Sequence, residues 1–308
     1  MSVRAAAVVL ILATLPVRAT AQATAQANAQ ANAGAKVFIS VDMEGVGGVV
    51  TPFQVDRTKP EWERYRKLMT EEALAAIEGA REAGATTFVL ADSHGSMENL
   101  IVEDLPEGVR LVRAKPRALG MMEGIDRSFA AVVFIGYHAS ANTESAVMAH
   151  TYRGAGGIRD LRLNGVSVPE GGWNAAIAGH FGVPVVAISG DQTACRQVAD
   201  LVGPLQTAVV KEAAGIYTAT VMPPAESRKL IREKVKAALL GKIAVRPYVV
   251  KTPVTVEIDL GKTVDAEIWS WMPGFTRTGN TIRYTGRDML EAARIFGVIL
   301  SANAYEAY

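Results

Sequence analysis

The chain has 308 residues, 49% of them apolar and 20% charged, enough to bury a full core in one large domain or two smaller ones. Lys and Arg (32) exceed Asp and Glu (31) by one with no long basic run, which argues against a phosphate-backbone partner and so against nucleic acid. The single cysteine, Cys195, excludes an intrachain disulfide and is read as a small core residue.

In chain order, Arg4 precedes an apolar run from Ala5 to Leu15, and Ala19-Thr20-Ala21 supplies a small-residue cleavage pattern. Residues 1–21 therefore read as a secretory signal peptide, and the protein is expected to be exported, periplasmic or secreted. The run is shorter than the roughly 20 residues of a spanning helix, so no stable membrane span is expected after cleavage. Losing Arg4 and Arg18 takes the formal charge from +1 to about −1. Residues 22–35 cycle through Ala, Gln, Asn and Thr and read as a low-complexity tether.

Ordered structure is expected from Lys36–Val41, a nearly continuous apolar run that suits a strand covered on both faces. Helical periodicity over Glu61–Ala83 stops at Gly84, and Thr86–Ala91 reads as a second buried strand. Further strands are expected at Val109–Val112, Ala131–Gly136 and Pro184–Ser189, with helices at Gly172–Phe181 and Thr193–Val202. Leu161–Val168 alternates around Asn164-Gly165, the preferred pair for a two-residue hairpin turn. Beyond about Lys211 come a long helix at Ala225–Leu240, a strand at Pro253–Asp259, a shorter helix, a strand at Thr281–Thr285 and a closing helix from Arg287. This predicts an α/β fold with three layers and a mainly parallel sheet over residues 36–210, the catalytic part, with a smaller α+β C-terminal domain over 211–308.

Asp42 and Glu44, two apart at the end of the first strand, can aim at one point, where two ionised carboxylates repel unless a cation lies between them. The alternative is a solvated strand end with Glu44 in the turn made by Gly45. His94 and His138 each follow a strand C-terminus, the side on which open α/β sheets form their ligand crevice. Two such histidines with a carboxylate pair point to metal. Two ions sharing a bridging carboxylate can use five protein ligands, and Glu170, at the start of a helix, is the candidate fifth. Spacing alone does not choose it, because the helix dipole favours a carboxylate there in any case. With it, three carboxylates and one hydroxide balance two divalent ions.

His150 is placed on a loop over the same crevice, while His180 reads as a structural cap at a helix end. The glycine clusters Gly45–Gly48 and Gly154–Gly157 match no phosphate-cradling or dinucleotide spacing and read as turns or mobile loops. Trp269 and Trp271 are read as core packing, with pocket lining as the alternative.

Several ordered segments carry a family resemblance: Ser40-Val41-Asp42-Met43-Glu44-Gly45, Met69-Thr70-Glu71-Glu72-Ala73, Asp92-Ser93-His94, Gly136-Tyr137-His138-Ala139, Met148-Ala149-His150 and Met272-Pro273-Gly274. From about Lys36 to near the C-terminus the chain resembles the bacterial D-aminopeptidase family of zinc peptidases. The resemblance implies two Zn2+ per subunit, with Asp42 bridging, Glu44 and His138 on one ion, His94 and Glu170 on the other, and His150 as the catalytic residue, nucleophile or proton carrier. It implies hydrolysis of short peptides with an N-terminal D-residue such as D-alanine, and a ring-like homo-oligomer, a decamer, with active sites facing a chamber. The residues by themselves also admit a two-metal amidase or phosphoesterase, or an exported peptide- or metal-binding protein without catalysis.

Overall fold

A computed structural model describes residues 33–154, 156–241 and 245–302, so the expected signal peptide and nearly all of the tether lie outside the described residues. The first strand, β1 (Lys36–Val41), is an interior strand of a seven-stranded sheet. Around it come β2 (Thr87–Asp92), β3 (Val109–Val112), β4 (Ala131–Tyr137), β7 (Val185–Asp191), β8 (Gln206–Gly215) and β9 (Thr218–Val221). The order is β3-β2-β1-β4-β7-β8-β9, parallel except for the β8–β9 hairpin.

Period-two alternation divides the core. Val37, Ile39 and Val41 face a core built with α2 (Trp62–Glu82), which follows the single-turn α1 (Pro52–Val55), and with α5 (Pro224–Leu239). Phe38 and its neighbours Val132 and Phe134 face the other way, towards α3 (Glu170–His180) and α4 (Gln192–Val202). Because both faces are covered, β1 and β4 read as unbroken apolar runs rather than as alternating strands. Cys195 is buried in this second core with its thiol free.

On the far side of α3 lies a smaller antiparallel sheet, β11 (Phe275–Thr278), β12 (Thr281–Gly286), β10 (Val254–Leu260), β5 (Ile158–Leu163) and β6 (Val166–Ser167). It carries α6 (Thr263–Ser270) and the closing helix α7 (Met289–Ser301), which packs between this sheet and α3. The expected hairpin around Asn164-Gly165 is present as β5–β6 and forms the edge of the smaller sheet. The expected division between residues 210 and 211 falls inside β8, a strand of the larger sheet. Among the described residues, no helix is long and apolar enough to cross a membrane.

The register sets the site. Val41 of β1 lies level with Asp92 of β2 and Ile135 of β4, so the residues that follow all three strands leave the sheet at one edge. Main-chain bonds carry this alignment one step further: Asp42 N–H donates to the Ile135 carbonyl at 2.8 Å, and Ser93 N–H to that of Val41 at 2.8 Å. The crossing needs glycine twice. A Cβ on Gly45 would stand 2.0 Å from the Tyr137 carbonyl oxygen, and one on Gly136, at φ +70°, 2.2 Å from that of Asp42.

Candidate metal centre

Asp42, Glu44, His94, His138, Glu170 and His150 converge at the C-terminal edge of the larger sheet. Asp42 stands between two histidines, its Oδ1 3.5 Å from His94 Nδ1 and its Oδ2 3.5 Å from His138 Nε2. His94 Nδ1 lies 2.9 Å from Glu44 Oε2, and His138 Nε2 lies 3.2 Å from Glu170 Oε1. His150 Nε2 is 3.8 Å from both Glu44 Oε1 and Glu170 Oε1. Two subsets, Asp42 with Glu44 and His138, and His138 with His150 and Glu170, each offer ligand atoms that lie within 4.8 Å of one another. All three carboxylates and His138 are buried.

The tautomers are set from outside the cluster. A main-chain carbonyl only accepts, so His94 Nε2–H donates to Val55 (3.0 Å), His138 Nδ1–H to Ala139 (2.9 Å) and His150 Nδ1–H to Met148 (2.7 Å). Each ring thereby turns its other nitrogen inward, which is how metal-ligating histidines are held. His138 Nε2 and Asp42 Oδ2, both buried, have no hydrogen-bond partner. Orphaned inward-facing donor atoms of oxygen and nitrogen fit divalent zinc.

Crowded negative charge governs the titration. Burial, then Glu44, raises Asp42 to about 8. Burial opposes ionisation of Glu44, but the charge of His94 and their hydrogen bond hold that carboxyl well below its ordinary range. The same balance, burial outweighed by Glu170 and Asp42, raises His138 to about 10. His150 moves the other way, lowered first by burial and then by the charge of His138. In the absence of a cation, protons on His94, His138 and Asp42 relieve the crowded charge.

Supporting contacts lock the candidate ligands. Glu170 opens α3 and accepts from Tyr152 N–H at 2.6 Å. The loop carrying His150 has left-handed backbone at Asn142, Ser145, Met148 and Tyr152, the kind of local strain that functional sites hold. Beneath the cluster runs a chain of hydrogen bonds: Tyr152 to Asn174 (3.1 Å), Asn174 to Tyr137 (2.9 Å), Tyr137 to Ser40 (2.7 Å) and Ser40 with Ser93 (2.7 Å). The buried ammonium of Lys211 donates to the carbonyls of Glu44 (2.5 Å), Val46 (3.0 Å) and Val49 (2.5 Å). Glu72, also buried, accepts from Gly47 N–H at 2.9 Å in the same loop. Gly45–Gly48 is thus a tight turn gripped from two sides.

The model for the D-aminopeptidase family, peptidase family M55, matches residues 35–298. The chain belongs to that family. A D-aminopeptidase of Bacillus subtilis (strain 168) is 36% identical over 259 residues, spanning 83% of this chain and 93% of the relative. The solved zinc-dependent D-aminopeptidase DppA from Bacillus subtilis, described as a self-compartmentalizing protease, aligns with a TM-score of 0.84 and 33% identity over 89% of this chain and 99% of that one. The D-aminopeptidase fold is thereby the one expected here, and the chain is a hydrolase of the metallo-aminopeptidase class.

The remaining expectations resolve one by one. Trp271 is 71% exposed and Trp269 packs on the core, and neither lines the site cavity. His180 ends α3, as the structural reading expects, and packs edge-on to Phe181. Lys211 and Glu72 escaped the sequence reading. Lys211 is visible only as one lysine beside Glu212 in an otherwise largely apolar run, and Glu72 only within the Met69–Ala73 segment.

Proposed function

We propose that this protein is a two-zinc aminopeptidase that removes an N-terminal D-residue, such as D-alanine, from short peptides. The observation that carries the reading is the set of three imidazoles fixed by outer carbonyls around Asp42, with Asp42 Oδ2 and His138 Nε2 unpartnered. Asp42 would bridge the ions, with Glu44 and His138 on one and His94 and Glu170 on the other. Bound zinc supplies Lewis acidity for the scissile carbonyl and lowers the pKa of a water towards 7.

The chain's own part is to orient and to move protons. His150 presents a lone pair at Nε2, because Nδ1 is committed to Met148, and this atom accepts a proton, returns it to the leaving amine, or attacks. Burial of the three carboxylates excludes water from the side facing the sheet. The self-compartmentalizing relative supports a homo-oligomer, which we take to be a ring-like decamer, and the N-terminal segment supports export.

Elemental analysis of the purified protein, with a panel of D- and L-aminoacyl dipeptides, amides and phosphoesters, tests the reading. Two zinc ions per chain and release of D-alanine from D-alanyl peptides are expected. A fully loaded protein that cleaves only phosphoesters, or nothing, would overturn it. Light scattering reads the assembly, and the N-terminal residue of the exported protein reads the cleavage.

A further inference from the structure

The metal ligands open into a cavity of about 590 Å³, within the range of small-molecule sites. Besides Asp42, Glu44 and Glu170, three basic side chains other than histidine line it: Lys115, Arg117 and Arg153. They are not equivalent. Arg117 is buried and spends its guanidinium on main-chain carbonyls, Nε to Ala114 (2.5 Å), one terminal nitrogen to Asp92 (2.8 Å) and the other to Val112 (2.9 Å). Arg153 is tied to the Ile299 carbonyl at 2.5 Å. Among the described residues, Lys115 makes no hydrogen bond and no ion pair.

The backbone under Lys115 is nevertheless held firmly. Ala114 N–H donates to the Met97 carbonyl at 2.7 Å, and Arg117 ties residues 92, 112 and 114 together. An exposed lysine on a firmly held backbone at the lining of a ligand cavity, its ammonium uncommitted, can take an anion. The cavity's own carboxylates are engaged with the histidines and do not reach it. A free short peptide carries one anionic group that the cleavage does not consume, its C-terminal carboxylate.

We propose that Lys115 binds the C-terminal carboxylate of the substrate and so selects short peptide acids over amide-capped or longer chains. This rests on the aminopeptidase reading given above. Lys115 moves no proton in the reaction; it contributes binding energy at the end of the substrate remote from the scissile bond.

The test compares D-alanyl-D-alanine with its C-terminal amide on the full-length zinc-loaded protein and on Lys115→Gln and Lys115→Arg. The quantity read is the ratio of kcat/KM for acid over amide, which does not depend on how much of a variant is folded. A charge-assisted contact predicts that Lys115→Gln lowers this ratio about 10- to 100-fold, through KM on the acid, and that Lys115→Arg restores most of it. An unchanged ratio in Lys115→Gln overturns the assignment. If the wild-type protein releases D-alanine from neither compound, the aminopeptidase reading fails. Calorimetric binding of the same two compounds then decides Lys115 separately, since equal affinities in wild type and Lys115→Gln refute it.

Discussion

His138 and His150 stack face to face, with ring centroids 3.9 Å apart and planes 11° from parallel. Two imidazoles so close do not both hold a charge readily, and the structure divides the roles. Glu170 and Asp42 raise His138, whereas burial and His138 itself lower His150. A lowered His150 leaves Nε2 the freer of the two inward nitrogens to accept a proton, and a cation held by His138 would push it in the same direction. Replacing it with Ala should leave zinc per chain unchanged and reduce D-alanine release by about 10²- to 10⁴-fold, the usual contribution of a positioned proton carrier. Zinc content falling in step with activity would make His150 a ligand instead.

In the proposed two-zinc centre, Asp42 is the residue on which both halves would depend. Its two oxygens face different histidines, each at 3.5 Å, so Asp42→Asn removes the shared charge without removing the shape. Zinc content should fall towards zero in Asp42→Asn, but only towards one ion per chain in His94→Ala. Metal analysis after gel filtration separates the two patterns, and a single ion retained in both variants would contradict a bridging role.

Much of this arrangement is legible in the sequence because β1, β2 and β4 are buried on both faces. Their apolar runs stop where the sheet stops, so Asp42, His94 and His138 mark its edge without any knowledge of tertiary contacts. Glu170 is harder to find, since a carboxylate at a helix start has an ordinary electrostatic reason to be there, and only the family resemblance singles it out. Lys211 and Glu72 are invisible to pattern reading for a further reason. Each acts on main-chain groups of the Glu44 loop, 167 residues away for Lys211 and 25 for the Gly47 contact of Glu72, and main-chain partners leave no trace in residue identities. The expected division near Lys211 reflects a real change of pattern, yet β8 continues through that point because its second half pairs with β9.

Lys211 should matter for metal retention as well as for folding. Its three carbonyl acceptors belong to the turn that aims Glu44, and burial lowers its pKa to about 8 against the pull of Asp191, Glu72 and Glu44. Lys211→Met takes this donor from the Glu44 and Val49 carbonyls, while Val46 still accepts from Val49 N–H at 3.0 Å, at a cost of about 1–3 kcal/mol for each group left unpaired. Urea unfolding should show a loss of several kcal/mol, and zinc should be lost to a chelator sooner than from wild type. Wild-type zinc retention in a measurably destabilised variant would confine Lys211 to folding.

Glu72 makes stability depend on pH in an unusual direction for a carboxylate. Burial raises it from 4.5 to about 7, despite hydrogen bonds from Gly47 N–H and Ser227 Oγ, and its Oε2 has no partner. With the folded value above the unfolded one, the native state binds the extra proton between about pH 4.5 and 7. The contribution is therefore fully present below about 4.5, declines as pH rises through that window and is flat above 7; its size is about 3 kcal/mol. Glu72→Gln keeps an acceptor for both hydrogen bonds and cannot ionise. The stability difference between variant and wild type, followed by urea unfolding from pH 4.5 to 7.5, should shift by about 3 kcal/mol in favour of the variant as pH rises. Parallel curves across that range would mean that Glu72 stays ionised in the folded protein, with the Lys211 ammonium outweighing the cost of burial.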